Sequence, residues 1–243
     1  MRTLPPELVR QAFDELESET PETLLAWAGG TFGRRIALAS SFGVEDVVLI
    51  HMATRLRPDF RVLAIDTGRL PEETFAVAEE LRRRGARIEW LFPDRERLEE
   101  LQSSAGLFSF RQSVEQRRAC CQVRKVEPLL RALRGLDAWV TGLRREQSLA
   151  RESVRAVEVD EAHGGLLKLS PLAAWSEAQV WAYVRAHRLP YSALHDRGYP
   201  SVGCAPCTRA VEPGEPPRAG RWWWESPEHK ECGLHLCPVG KAS

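Results

Sequence analysis

Four of the six cysteines stand as two pairs, Cys120-Cys121 and Cys204-Ala205-Pro206-Cys207, separated by a long connection. Four thiolates can enclose one soft metal centre. Adjacent cysteines on a helix point about 100° apart, which suits the separated corners of an iron–sulfur cube better than a single zinc ion. A [4Fe–4S] cluster, a structural zinc, a redox dithiol and plain buried thiols are the readings open to this set. A disulfide framework does not suit a reducing compartment. A further cysteine, Cys232, stands in Glu231-Cys232-Gly233-Leu234-His235. His229, Lys230 and His235 favour its thiolate and Glu228 and Glu231 oppose it, so it reads either as an incidental thiol or as a nucleophile. Cys237 reads as incidental unless it pairs transiently with Cys232.

A second kind of chemistry is written in Ser40-Ser41-Phe42-Gly43-Val44-Glu45-Asp46, between an apolar run and an amphipathic stretch. Backbone N–H groups at such a helix start point toward an anion, and small residues let it approach closely. An ordinary strand-to-helix turn, with Glu45 and Asp46 serving the helix dipole, is the alternative. The motif is neither a Walker loop nor GxGxxG. Arg69, Lys125, Arg144, Arg145, Arg151, Arg218 and Arg221 form a scattered cation set whose guanidinium groups could bind tetrahedral oxyanions. Between Arg111 and Arg155 there are eleven basic residues against five acidic ones. Trp222-Trp223-Trp224 could stack on a base or an arginine, but packing of the tail onto the body is the default reading.

The elements that must position these groups follow from periodicity. Ile36–Ser40, Val62–Asp66, Ile88–Phe92 and Ala138–Thr141 are short apolar runs suited to strands buried on both faces. The amphipathic stretches Val44–Arg55, Pro71–Arg84 and Lys125–Leu133 lie between them, and a helix over Ser176–His187 has Ser176 as its N-cap and Trp181 and Val184 on its apolar side. Alternating strands and helices predict a doubly wound, mostly parallel, Rossmann-like α/β sheet over residues 1–195. Ligands bind at the carboxyl ends of such strands, where Ser40–Gly43, Asp66–Arg69 and Thr141–Arg144 are expected to share one rim. Residues 196–243 hold four cysteines and seven prolines with little periodicity, and read as an irregular C-terminal segment packed on the same domain.

The chain has 243 residues and a formal net charge of zero, from 34 basic and 34 acidic side chains. No global basic field attracts nucleic acid or anionic lipid. No apolar window reaches the length of a membrane span, and the start lacks the apolar stretch of a signal peptide, so a cytoplasmic location with reduced cysteines is expected. Arginine outnumbers lysine 30 to 4 and asparagine is absent, which carries no functional meaning here.

The stretches SSFGVEDVVLIHM (40–52), IDTGRLPEET (65–74), CCQVRKVEPL (120–129), TGLRREQS (141–148), GCAPCTR (203–209) and GRWWWESPEHKECGLH (220–235) together resemble the phosphosulfate reductase family, specifically its iron–sulfur adenylylsulfate (APS) reductases. The resemblance implies an adenine nucleotide alpha hydrolase-like fold. It implies that Ser40, Ser41, Phe42, Gly43 and Glu45 form the nucleotide loop with Asp66, Thr67, Gly68 and Arg69 beside it. It implies that Cys120, Cys121, Cys204 and Cys207 hold a [4Fe–4S] cluster, with Lys125 near both cluster and substrate. Arg144, Arg151, Arg218 and Arg221 match positions for phosphate and sulfate, and Cys232 matches the nucleophile. The implied enzyme converts APS to sulfite and AMP through an S-sulfocysteine, with a thioredoxin or glutaredoxin-like reductant, in sulfate assimilation and cysteine biosynthesis. It binds neither nucleic acid nor membrane and could be a homo-oligomer. Both cysteine pairs point to APS. The rivals are a phosphoadenylylsulfate (PAPS) reductase, a tRNA sulfur-transferase of the same fold, against which the missing SGGxDS loop and zero net charge speak, and a non-enzymatic zinc module.

Overall fold

A computed structural model of the chain describes residues 5–226 and 233. Six strands form one sheet, β1 (Ile36–Ser40), β2 (Arg61–Ile65), β3 (Arg87–Leu91), β4 (Ala138–Val140), β5 (Val157–Asp160) and β6 (Leu166–Leu169), in the order β3-β2-β1-β4-β6-β5. β1 pairs in parallel with β2 and β4, and β4 with β6. β5 runs antiparallel to β6. The central strands are apolar throughout because both faces are covered: Ile36, Ala37 and Leu38, Ala138, Trp139 and Val140, and Leu167 and Leu169 are all buried. The predicted mostly parallel α/β sheet is therefore present.

The four expected strands fall within a residue of their predicted bounds. β5 and β6 were not anticipated, since four-residue strands give too little periodicity to stand out. Their register places Glu158 opposite Lys168, whose Nζ reaches the Glu158 carboxylate at 2.5 Å.

The helices are α1 (Pro6–Leu16), α2 (Pro21–Phe32), α3 (Val44–Leu56), α4 (Glu72–Arg83), α5 (Arg95–Ala105), α6 (Val114–Cys121), α7 (Glu127–Leu133) and α8 (Glu177–Ala186). α3 packs between α2 and α8, so its Val47, Val48, Leu49 and Ile50 are buried on successive sides. α8 starts as the sequence predicts. The Ser176 hydroxyl accepts from the Gln179 N–H at 3.2 Å and the Gln179 side-chain Oε1 accepts from the Ser176 N–H at 2.7 Å. Its buried side is Val180 and Val184, whereas Trp181 is half-buried and meets Tyr191 edge-on at 5.2 Å. The predicted helix at Lys125–Leu133 instead opens as a π turn, Gln122–Val126, joining α6 to α7. No helix is long and apolar enough to cross a membrane among the described residues.

The chain divides into two compact units. Among the described residues, the first comprises 5–64, Glu72–Glu89 and Leu133–Ala193, and the second Ile65–Pro71, Trp90–Ala132 and 194–226. This grouping differs from the sequence division into 1–195 and 196–243. The tail is joined in its unit by the segment after β2 and by α5 and α6, because the two cysteine pairs share one small core.

Candidate functional site

In the first unit the sheet reverses direction of growth at β1, which has β2 on one side and β4 on the other, so the carboxyl ends of β1 and β4 flank the switch point where α/β sheets bind ligands. Two loops meet there. Ser40 closes β1, Phe42 takes φ of +59°, and Gly43 caps α3. The loop is tied to Asp46, whose carboxylate accepts from the Ser41 N–H at 2.6 Å, the Ser41 hydroxyl at 3.1 Å and the Ser40 hydroxyl at 3.4 Å. Ser40 Oγ also accepts from the Phe42 N–H at 3.0 Å. The helix start thus meets its own buried carboxylate. Gly142, after β4, must lack a side chain because a Cβ there would lie 2.4 Å from Asp46 Oδ1. Glu45 accepts from Arg144 Nε at 2.9 Å, and Arg144 also donates to the Trp175 carbonyl at 3.2 Å. Gln147 bonds Glu45, Arg144 and Arg151. Glu45, Arg144 and Arg151 are therefore brought together, and so are Gln147 and Gly142, which sequence reasoning missed although both stand in the TGLRREQS motif.

Burial pushes the Asp46 carboxyl up to about 6 from 3.8, against the Ser41 hydrogen bonds and with the help of the neighbouring Glu45 charge. The folded chain then holds this proton more tightly than the unfolded chain. The associated stability is full below about pH 4 and is lost as pH rises to about 6, a change of roughly 3 kcal/mol. Urea unfolding of the wild type and Asp46→Asn at pH 4, 5 and 6.5 checks this. The stability difference shifts toward the variant as pH rises, and a pH-independent difference contradicts it.

The second unit holds the cysteines. Cys120, Cys121, Cys204 and Cys207 are buried together with Phe110 and Trp222 in one core. α6 begins at the Ser113 cap, whose hydroxyl accepts from the Gln116 N–H at 3.2 Å, and ends at Cys121. The π turn follows, with the Glu127 N–H bonding the Gln122 carbonyl five residues back. The CxxC turn is closed by the Cys207 N–H on the Cys204 carbonyl at 2.9 Å. Trp222 covers it, its N–H donating to the Cys207 carbonyl at 3.0 Å. Trp222 is the fully buried member of the Trp222–Trp224 run, Trp224 packs half-buried against the same core, and Trp223 is exposed.

Cations line the cavity between the four thiols: Arg69, Arg117, Arg124, Lys125 and Arg221. Arg124 donates to the Thr67 carbonyl at 2.6 Å, and the Thr67 hydroxyl lies 3.3 Å from Cys204 Sγ. Arg69 sits 3.9 Å from Cys120 Sγ and 4.6 Å above the Phe110 ring. Arg117 is buried, paired with Glu225 at 2.8 Å and stacked 4.7 Å from Trp222. Arg221 lies so close to Gly203 that a Cβ there would meet its Nη2 at 2.3 Å. Its Nη1 donates to Ser201 Oγ at 3.2 Å and to the Val202 carbonyl at 3.1 Å. The Arg218 carbonyl accepts from the Arg221 N–H at 3.0 Å. Asp66 accepts from the Gly68 N–H at 2.7 Å, and the Arg69 carbonyl accepts from the Ala205 N–H at 2.8 Å, which holds the Asp66–Arg69 turn against the cysteine cavity. Arg117 and Arg124 had a signal in sequence, standing four residues before Cys121 and four after Cys120. Cys232, with His229, Lys230, His235 and Cys237, lies outside the described residues.

Thiol ionisation reflects both burial and these cations. Burial and the nearby thiols push Cys207 up to about 12. Burial raises Cys120 despite Arg69 and Arg124, whereas at Cys204 burial is outweighed by Lys125, Thr67, Arg221 and Arg69, for a net lowering. Among the described residues no group of three or more His, Cys, Asp or Glu is arranged to hold a single metal ion. The donor set nevertheless suits an anionic metal–sulfur group: four soft ligands surround one cavity, its cations lack an equal number of acids, and Arg124 Nε and Arg221 Nε are buried without hydrogen-bond partners.

The phosphoadenosine phosphosulfate reductase domain matches residues 35–210, which include both Ser40–Gly43 and the two cysteine pairs. The chain belongs to this family. Within the family it is similar to adenosine 5'-phosphosulfate reductase of Allochromatium vinosum, 55% identical over 82% of this chain and 78% of that one. It is also similar to adenosine 5'-phosphosulfate reductase of Burkholderia cepacia, 46% identical over 91% of this chain and 88% of that one. Among solved structures, phosphoadenylyl-sulfate (PAPS) reductase from Candida auris in a phosphate complex superposes with a TM-score of 0.72 and 26% identity, covering 86% of this chain and 99% of that one. Arg218, Arg221 and Cys232 lie beyond the family match at 210.

Proposed function

We propose that this chain reduces adenylylsulfate to sulfite and AMP in sulfate assimilation, in the cytoplasm. The observation that carries the reading is 55% and 46% identity to relatives named for that substrate, over most of the chain, together with two cysteine pairs buried in one cationic cavity. Ser40–Gly43 and Glu45 hold the nucleoside part of the substrate, and Arg144 and Arg151 its phosphate and sulfate. Arg218 and Arg221 match the positions at which the family binds the same anionic groups. Guanidinium groups suit this task because they neutralise charge that otherwise repels a thiolate from an oxyanion.

The Cys232 thiolate attacks the sulfur of the sulfate group. An S–S bond forms, the S–O bond to the phosphate breaks, and AMP leaves with that oxygen and its electron pair. A dithiol protein of the thioredoxin or glutaredoxin type then attacks Cys232 Sγ with one thiolate. Sulfite departs with the S–S electron pair, and the partner's second thiol resolves the mixed disulfide, restoring the Cys232 thiol. The partner is oxidised to its disulfide and the sulfate sulfur is reduced to sulfite.

Cys120, Cys121, Cys204 and Cys207 would hold a [4Fe–4S] cluster, which supplies a polarisable anionic centre for the surrounding Arg69, Arg124, Lys125 and Arg221. Those cations would thereby be held in place instead of repelling one another.

Sulfite release is measured with APS and with PAPS at equal concentration, using a thioredoxin system as reductant. We expect kcat/KM for APS to exceed that for PAPS by at least about 100-fold, the scale that a buried polar mismatch imposes. Preference for PAPS overturns the substrate, and turnover of neither overturns the reading.

A further inference from the structure

We infer that Gln147 is a positioning residue that, together with Glu45, fixes Arg144 and Arg151 as one anion-binding pair. The inference rests on the functional reading above for what the pair binds, and on the first unit's geometry for how it is built.

Every polar group of the Gln147 side-chain amide that the network requires is engaged. Its Nε2 donates to Glu45 Oε1 at 3.0 Å and to the Gly142 carbonyl at 3.1 Å. Its Oε1 accepts from the Arg144 N–H at 3.1 Å and from Arg151 Nη1 at 2.5 Å. Two donors meet two acceptors and one acceptor meets two donors, so only this orientation of the amide satisfies the site. Glu45 Oε1 also takes Arg144 Nε at 2.9 Å, which leaves Glu45 and Gln147 sharing the arginine between side chain and backbone.

A single neutral side chain therefore ties α3, the turn after β4 and the helical turn bearing Arg151. The same groups cannot be replaced by a charge of either sign. A cation would repel Arg144 and Arg151, and an anion would face Glu45 and the Gly142 carbonyl without a proton to donate. Apart from Glu45, the charged groups around it are Arg144, Arg151, the exposed Glu146 beside Arg144 at 3.6 Å, and Asp46 against Gly142. A neutral amide joins opposite charges without changing their sum.

The test uses the full chain and AMP as the probe, since AMP carries the phosphate and does not react. Gln147→Leu removes all four hydrogen bonds at nearly constant volume. AMP dissociation constants measured by calorimetry at pH 8 rise about 10- to 100-fold, the equivalent of one or two lost bonds to charged partners. Gln147→Glu is nearly isosteric and keeps the acceptor for Arg144 and Arg151, but at pH 8 it loses both donors, to Glu45 and to the Gly142 carbonyl, and binds AMP as weakly as Gln147→Leu. A residue serving only to fill space would tolerate Gln147→Glu, so wild-type AMP affinity in Gln147→Glu or in Gln147→Leu overturns the inference. If the wild-type chain itself binds no AMP, the functional reading fails and this inference falls with it. A Gln147→Leu chain that fails to fold leaves Gln147→Glu as the deciding measurement.

Discussion

Cys232→Ser abolishes the covalent S-sulfo adduct and lowers sulfite formation by roughly a thousandfold or more, while AMP binding and the visible chromophore persist. A serine hydroxyl is almost wholly protonated at neutral pH and offers no polarisable anion to the sulfur, and removal of a covalent nucleophile is among the costliest single changes an enzyme can suffer. Incubation of the wild type with APS in the absence of reductant adds the mass of one SO3 group to the chain, and peptide mapping places it on Cys232. Intact-mass analysis of the variant shows no such addition. A sulfonated Cys232→Ser chain moves the nucleophile elsewhere, and stoichiometric AMP release by the wild type without added mass removes the covalent intermediate altogether.

The second large effect is at the cysteine cavity. Cys204→Ser is expected to yield protein with iron and acid-labile sulfide reduced several-fold and the brown colour lost, because a hard alkoxide is a poor substitute for a thiolate on iron. Cys204 is well placed to show it. Its sulfur is buried, lies 3.3 Å from the Thr67 hydroxyl, and is the thiol that Lys125, Arg221 and Arg69 most favour as an anion. Loss of the anionic centre leaves Arg124 and Arg221 as buried cations without a counter-charge, and stability falls by roughly 3–5 kcal/mol, the scale for breaking a buried charge pair. Unchanged iron content in Cys204→Ser takes Cys204 out of the ligand set. Zinc in place of iron in the wild type takes the cluster out altogether.

Much of the fold is legible in the chain. The runs at 36–40, 62–66 and 138–141 are apolar because strands buried on both faces must be, and the Ser176 cap declares the start of α8. Where local pattern gives out, it does so for identifiable reasons. β5 and β6 are four residues each, and β5 carries acids at Glu158 and Asp160 whose partners, Lys168 on one side and Trp139 and His163 on the other, are supplied by other elements. The π turn after Cys121 inserts an i+5 bond that no helical periodicity announces. Trp222 reads like its two neighbours, yet it is the one that is buried, with φ of +40° that turns it onto Arg117 and Arg221.

The sequence by itself determined which groups are present and their kinds of chemistry: two thiol pairs, a small-residue turn at a strand end, an excess of guanidinium groups between 111 and 155, and the family to which these motifs belong. Only the tertiary structure decided who meets whom. Glu45 and Arg144 stand 99 positions apart and become an ion pair because β1 and β4 are neighbours in the sheet. Thr67 and Cys204 stand 137 apart and touch because the turn after β2 and the CxxC turn enclose one cavity. Hydrogen bonds and ion pairs reach about 3 Å, whereas local propensity says nothing of which distant segment will arrive within that distance.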